Sequence, residues 1–469
     1  MNTTRVADQV VIDELVRIVG RENVKLSEPE LYPYAYDASY FQGSVPIAVA
    51  VPHSTEEVSG IVRLCNRHMI PYIGRGSGTN ISGGTIPPEG ALIIEFSGMN
   101  RVLEVDLVSQ RAVIEPGVIN LDLKEMLAPY GYTFAPDPGS QSISTIGGNA
   151  AENAGGPHCL KYGITTNHVT GLEVVLPSAE IAMIGGKAYD EPGYDLLSLF
   201  VGSEGTIGLI TKMVVRIVHL PEFVQTFLGV FESVIDAANA VAAIISTGII
   251  PATIELMDRI TVSVVNKKIP NAYPGDADAV LLIEVDGLAD GMDRIADKVC
   301  GILRASGSRE PHVARTQQER DRLWLGRRGV FGAVARLMPD CYIIDVTVPR
   351  TRLPEAFEGV LNIAKKYDLL IANTSHAGDG NLHPCVMFDA SNAEEKARVM
   401  KAGKEIAEMC VPLGGSITGE HGVGIEKREE MRLVFSDADL GMMEGVKEVF
   451  DERNLSNPGK VLPTRVGGL

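Results

Sequence analysis

Pro136-Asp-Pro-Gly-Ser-Gln-Ser-Ile-Ser-Thr-Ile-Gly-Gly-Asn-Ala-Ala-Glu-Asn-Ala-Gly-Gly-Pro-His-Cys-Leu-Lys-Tyr-Gly163 is the stretch on which the fold of this chain turns. It is too rich in Gly, Ser, Asn and Pro for a regular element. Its glycines at 139, 147, 148, 155, 156 and 163 supply bare amides and free φ angles, which let a backbone wrap closely round a ligand. We read it as a loop holding a large, phosphate-bearing cofactor, with the rest of the chain arranged to deliver a substrate to it.

A chain of 469 residues is too long for one compact core and should form two or three domains. The net charge of −18 excludes a broad nucleic-acid surface, so an anionic substrate must be met by a few local arginines. Cysteines at 65, 159, 300, 341, 385 and 410 form no CxxC pair, which argues against structural zinc, an iron–sulfur cluster held by this chain alone, and a disulfide framework. A reducing cytoplasm fits that usage. Met1-Asn-Thr-Thr-Arg-Val-Ala-Asp8 has no apolar h-region, so no signal peptide is expected. The most apolar run, 237–254, is interrupted by Asn239, Ser246, Gly248 and Pro251 and reads as a buried helix and a strand, with no transmembrane segment.

Outward from the opening stretch, helical spacing over 8–20 predicts an amphipathic first helix, and Ser54 with Glu57 forms a capping box for a helix reaching about Met69. Pro71-Tyr-Ile-Gly-Arg-Gly-Ser-Gly-Thr-Asn-Ile-Ser-Gly-Gly84 has the glycines of a dinucleotide fingerprint, but Gly83-Gly84 and Pro87-Pro88 forbid the helix such a loop must open. It is either a diphosphate-binding nest or a long hairpin loop. Strands are expected at 91–96, 102–105, 112–114, 169–176 and 212–218, with a helix near 121–127 and a second Gly-rich turn at 199–211. That α+β pattern ends near Pro221. Beyond it, strands at 225–230, 253–257 and 280–285 alternate with helices at 234–245 and 292–305 as a split βαβ, ferredoxin-like sheet. A helix over 315–336, a strand over 341–348 and a helix over 354–367 follow.

His376-Ala-Gly-Asp-Gly-Asn-Leu-His383 holds two of nine histidines, and Glu420-His421 places a carboxylate beside a third. Two imidazoles and a carboxylate suit a divalent metal with open positions. The six-residue gap is not a helical pair, so a metal requires a strand or loop that turns the second ring back; the alternative is histidines bonded to backbone in a tight turn. His421 is a candidate general base. Arg327 and Arg328, beside the only tryptophan, offer a fork to a carboxylate or else form a solvated helix face.

Seven blocks in order, Gly74-Arg-Gly-Ser-Gly-Thr-Asn, Pro138-Gly-Ser, Ile146-Gly-Gly-Asn-Ala-Ala-Glu-Asn-Ala-Gly-Gly, Val201-Gly-Ser-Glu-Gly-Thr-Ile-Gly, His376-Ala-Gly-Asp-Gly-Asn-Leu-His, Gly419-Glu-His-Gly-Val-Gly and Asn457-Pro-Gly-Lys, resemble the flavin-dependent 2-hydroxyacid dehydrogenases of the vanillyl-alcohol-oxidase-like superfamily. Among these are the D subunit of bacterial glycolate oxidase and the FAD-linked D-lactate dehydrogenases. The resemblance implies an α+β, two-subdomain PCMH-type FAD-binding domain at 42–221 after an N-terminal helical segment at 1–41. A ferredoxin-like cap carrying the metal-site loop would occupy 222–410, and 411–469 would return to the FAD domain. Non-covalent FAD would be held by Arg75, Gly76, Ser77, Gly78, Thr79, Asn80, Ser82, Pro138, Gly139, Ser140, Ser144, Thr145, Gly147, Gly148, Asn149, Asn153, Gly156, Tyr162, Gly163, Glu204, Gly205, Ile207 and Asn457. His376, His383 and Glu420 match ligands for zinc, iron or manganese, His421 the catalytic base, and Arg327 the substrate-carboxylate arginine.

Two departures sharpen the expectation. Some relatives carry a lysine just before Asp345 for a second substrate carboxylate; Ile343 and Ile344 here favour a monocarboxylate such as glycolate or lactate. Members that tether flavin use His or Cys in the first Gly-rich loop, where this chain has Ser77 and Thr79. The implied reaction is oxidation to the 2-oxo acid by hydride transfer to flavin N5. Electrons would pass to an iron–sulfur subunit or an electron-transferring flavoprotein, in the cytoplasm or peripherally at the membrane through such partners. The rivals are a non-catalytic electron-relay flavoprotein and a different alcohol oxidation on the same fold.

Overall fold

A computed structural model describes residues 9–188, 192–334 and 336–464. The chain divides into two compact units. The first takes the chain up to Gly155, Gly163–Leu220 and everything from Glu420; the second takes Gly156–Tyr162 and Pro221–Gly419.

In the first unit α1 (Gln9–Val19) buries Val11, Ile12, Leu15 and Val19. The N-terminal segment is not helix alone: β1 (Val24–Lys25) pairs antiparallel with β2 (Ala48–Ala50). Then α2 (Thr55–His68) starts where the capping box predicts it, with Ser54 Oγ accepting the Glu57 amide at 3.2 Å. It crosses to β3 (Tyr72–Arg75), and β2 and β3 both run parallel to β4 (Leu92–Glu95), giving the order β1-β2-β4-β3. One face of this sheet is covered by α1 and α2 around Leu15, Ile61 and Leu64, all fully buried.

A second sheet, antiparallel throughout, is ordered β5 (Val102–Asp106), β6 (Arg111–Ile114), β9 (Leu209–Arg216), β7 (Val169–Val175) and β8 (Ile181–Gly185). Against its core packs α3 (Ile146–Glu152), which corrects the expectation that 136–163 holds no regular element. A short helix, Cys159–Tyr162, is a second correction. Thr145 caps α3 by accepting the Gly148 amide at 3.2 Å, and Asn153 ends it in the left-handed region. Gly147 is there for closeness: a Cβ would sit 2.4 Å from Pro116 Cβ, so only glycine lets the helix touch that strand end.

The second unit has an eight-stranded sheet. Its first part is β10 (Phe223–Phe231), α4 (Val234–Ser246), β11 (Thr253–Asp258), a helix that the sequence pattern does not predict (Arg259–Lys268), β12 (Ala279–Gly287), α5 (Met292–Ala305) and the short strand His312–Val313. The spatial order, His312–Val313, β10, β12, β11, is the split βαβ, ferredoxin-like arrangement expected. The sheet does not stop there. Through β11 it continues into β14 (Leu370–His376), β15 (Asn381–Phe388) and β13 (Asp340–Ile343). Two further differences are local. The helix expected over 315–336 is α6 (Gln317–Arg328) and a separate turn of helix, Val330–Val334, divided at Gly329. The strand expected over 341–348 breaks at Ile344-Asp345, because the Asp345 carboxylate turns inward to accept hydrogen bonds. Helices α7 (Leu353–Tyr367) and α8 (Ala393–Cys410) pack on each other. Finally α9 (Asp437–Phe450) completes the first unit.

Candidate active site

Within the first unit four Gly-rich segments converge. Ser77 Oγ donates to Ile143 O at 2.5 Å, and Asn80 Nδ2 to Glu152 Oε1 at 2.6 Å, joining the 76–84 loop to the 136–153 stretch. Asn457 Nδ2 donates to Gly84 O and Glu204 O at 2.8 and 2.6 Å, bringing in the C-terminal segment and the 201–208 turn. The side chain of Glu204 reaches back to the turn after His421: Oε1 accepts Val423 N at 2.7 Å and Oε2 accepts Gly424 N at 2.8 Å. A Cβ on Gly422, whose φ is +84°, would lie 2.4 Å from Glu152 Oε2 and 2.9 Å from Glu204 Oε1. The backbone that carries His421 is thus seated on two buried carboxyl groups.

Burial, followed by the Glu204 charge, holds Glu152 well above the usual carboxylate range. Glu204 is pushed up to about 7 by burial, against the Val423 and Gly424 amides and the charges of Lys460 and Lys427. The folded protein therefore retains protons that an unfolded glutamate releases near pH 4.5, and stability falls as pH rises from there to about 7. Glu152→Gln removes one titrating group and is expected to gain a few degrees in Tm over the wild type at pH 8 but little at pH 5. Melting curves at the two pH values check this.

In the second unit β14 and β15 form a hairpin in which Thr374 faces His383 and His376 faces Asn381. The two histidines are offset by two residues on one face, and their rings meet edge to face with centroids 5.0 Å apart. This is the turned-back geometry that the six-residue gap requires for a shared ligand. His376 sits opposite Glu255 on β11, and its Nδ1 lies 2.8 Å from Glu255 Oε1, a carboxylate rather than backbone. Arg327, 5% exposed on α6, donates from Nε to Glu255 Oε2 at 2.6 Å, so it is no solvated face residue; Arg328 is exposed and lies over the Trp324 ring. Burial raises the Glu255 pKa, but the charges of Arg327 and His376 outweigh it and hold the carboxyl at about 2. Asp345, fully buried, has Oδ1 3.8 Å from His383 Nδ1, while its Oδ2 accepts Thr418 Oγ1 at 2.6 Å and Gly419 N at 2.9 Å. That grip fixes the chain immediately before Glu420. Glu420 Oε1 and His421 Nε2 are 3.8 Å apart.

Residues 220–461 match the family model of FAD linked oxidases, C-terminal domain, and residues 46–185 match an FAD binding domain. The chain belongs to the FAD-linked oxidases. It is 42% identical over 452 residues to glycolate oxidase subunit GlcD of Bacillus subtilis, covering 96% of each chain. It is 31% identical to a probable mitochondrial D-lactate dehydrogenase of Danio rerio, over 96% of this chain and 91% of that one. The solved structure of p-cresol methylhydroxylase with substrate bound superposes with a TM-score of 0.82 at 17% identity, covering 98% of both chains; that likeness is one of fold.

The first unit has the polar atoms an FAD would need. Asn80 Oδ1, Ser82 Oγ, Ser144 Oγ and Asn457 Oδ1 are buried with no hydrogen-bond partner among the described residues, and Gly139 and Gly205 border open space. Arg75 stacks on Tyr34, Thr145 and Gly148 form the α3 cap, and Asn149 and Asn153 bond to Asn120 and the Thr166 amide. Gly76 packs against Thr145 and Gly78 against the Arg75 guanidinium; Ile207 is a core residue. Gly163 belongs to this unit, but Gly156 and Tyr162 belong to the second, where the Tyr162 hydroxyl bonds Asp286 and His158 stacks on Trp324. Sequence reading missed Glu255 and Asp345. Each is an acid inside an apolar strand run, Thr253-Ile-Glu-Leu-Met and Ile343-Ile-Asp-Val, and a charge in such a run must be paired; that was the available signal.

Proposed function

We propose that this FAD-linked oxidase converts a small 2-hydroxy acid, of the glycolate or D-lactate class, to its 2-oxo acid. The observation that carries the proposal is the shared carboxylate of Glu255, which joins a buried arginine suited to a substrate carboxylate to a histidine suited to a metal. The similarity along nearly the whole chain to a glycolate oxidase subunit supports it.

In this reading Arg327 holds the substrate carboxylate through parallel hydrogen bonds. His376, His383 and Glu420 would ligate a divalent cation, the two imidazoles being already turned to one face. When bound, FAD supplies the hydride acceptor and the cation a Lewis acid beside the substrate hydroxyl. His421 accepts the hydroxyl proton while the α-carbon–hydrogen bond breaks with its electron pair, leaving a carbonyl. The 74–84 loop, the 136–153 stretch, Glu204, Gly205, Ile207 and Asn457 serve the cofactor. Electrons leave through a partner, an iron–sulfur subunit or an electron-transferring flavoprotein. No described helix is long and apolar enough to cross a membrane.

The test is anaerobic mixing of purified protein with D-lactate, glycolate and a panel of other 2-hydroxy acids. Bleaching of the flavin with one or more is expected; a flavin that stays oxidised throughout points to the electron-relay alternative. Chelation of the cation is expected to stop bleaching while the oxidised flavin spectrum persists, and full activity in metal-free protein would remove the metal from the proposal.

A further inference from the structure

Glu255 is fully buried in the middle of β11, directly opposite His376 across the strand ladder. Its two oxygens accept from Thr253 Oγ1 at 2.9 Å and Arg327 Nε at 2.6 Å, and His376 Nδ1 stands within hydrogen-bond distance of both, at 2.8 and 3.0 Å. We propose that Glu255 is a positioning residue whose single carboxylate selects both the edge of Arg327 presented to the substrate and the ring nitrogen of His376 presented to the cation. The inference rests on the hydroxy-acid reading for its substrate half and on the His376 geometry alone for its cation half.

The chemistry follows from what a carboxylate can do. An ionised glutamate only accepts hydrogen bonds, so His376 carries its proton on Nδ1, and Nε2 keeps the lone pair a metal requires. A guanidinium can grip a carboxylate by its Nε–Nη edge or its Nη–Nη edge. Glu255 occupies Nε, which leaves the Nη pair for an incoming acid. Both choices are dictated from one backbone position set by the register of β11 against β14. Were Glu255 merely balancing a buried charge, one partner would suffice, and changing its length would affect stability without moving metal affinity and substrate affinity together.

The experiment uses FAD-loaded full-length protein carrying Glu255→Gln, which removes the negative charge and replaces one of the two acceptor oxygens with an NH2 donor. Glu255→Asp is the second variant, keeping the buried charge beside Arg327 but falling one methylene short of spanning both partners. Zn2+ affinity by competition with a chromophoric chelator is expected to fall about 10-fold or more, and the KM for the best 2-hydroxy acid to rise at least as much, with FAD content unchanged. Arg327→Lys is expected to raise KM while leaving Zn2+ affinity in place. Unaltered Zn2+ affinity and KM in either FAD-loaded Glu255 variant overturns the inference. Should the wild type oxidise no 2-hydroxy acid, the proposed reaction fails, and Zn2+ affinity still decides the role of Glu255. Independently of any Glu255 variant, 15N-histidine NMR of the wild type, assigned by the signal lost in His376→Gln, should show the Nδ1–H tautomer; an Nε2–H tautomer refutes the assignment.

Discussion

His421→Asn should leave the flavin bound and slow its reduction by substrate by about 100- to 10,000-fold, the usual contribution of a positioned general base. Asparagine keeps the size and some hydrogen bonding of imidazole but cannot take a proton near neutral pH. The substitution should not disturb the cofactor cradle, because the turn is held by backbone amides: Val423 and Gly424 donate to Glu204 whatever occupies position 421. Stopped-flow absorbance of the flavin under anaerobic conditions measures the rate, and the visible flavin absorbance of the purified variant reports cofactor content. A rate equal to that of the wild type would remove His421 from the chemistry.

Arg327→Met is expected to act twice. For the substrate, losing a bidentate charged contact should raise KM by about 100-fold or more, since each hydrogen bond to a charged group contributes ~1.5–3 kcal/mol. For the protein, it strands Glu255 in the interior without the cation that holds its carboxyl at about 2, and breaking a buried pair costs ~3–5 kcal/mol. The pH dependence has a definite sign. A carboxyl whose folded pKa is depressed contributes stability above its unfolded value near 4.5, and that contribution fades as pH falls through about 2. The stability gap between wild type and variant should therefore be widest above pH ~4.5 and shrink in more acid solution. Thermal melts at pH 7 and pH 3.5 check it, and a gap that widens on acidification would contradict the account.

Much of the scaffold was legible because its signals are local. Ser54 and Glu57 lie within one helical turn, so the start of α2 follows from which amides need acceptors. The alternation of strands and helices from Phe223 to Ala305 was enough to give the ferredoxin-like arrangement. The sheet's extension through β14, β15 and β13 was not readable, since nothing local says which edge strand pairs with β11. Composition misled in one place. Ile146–Glu152 is a helix despite Gly147 and Gly148, because a threonine cap and packing on Pro116 outweigh the low propensity of two glycines.

The site shows the same division. His376, His383, Arg327 and His421 were nameable from residue type and family resemblance, whereas Glu255, which ties two of them together, stands 72 positions from Arg327 and 121 from His376. By itself the sequence determined where α2 begins, which residues could bind metal, acid or flavin, and that the 136–163 stretch must approach something closely. Only the tertiary structure decided that the stretch contains a capped helix, that two of its predicted cofactor residues, Gly156 and Tyr162, sit in the second unit, and that one buried carboxylate sets arginine and histidine. The physical reason is range. Caps and alternation are settled by hydrogen bonds a few residues long, while the partner of a buried charge depends on strand register and on a desolvation cost that exists only once the chain has folded.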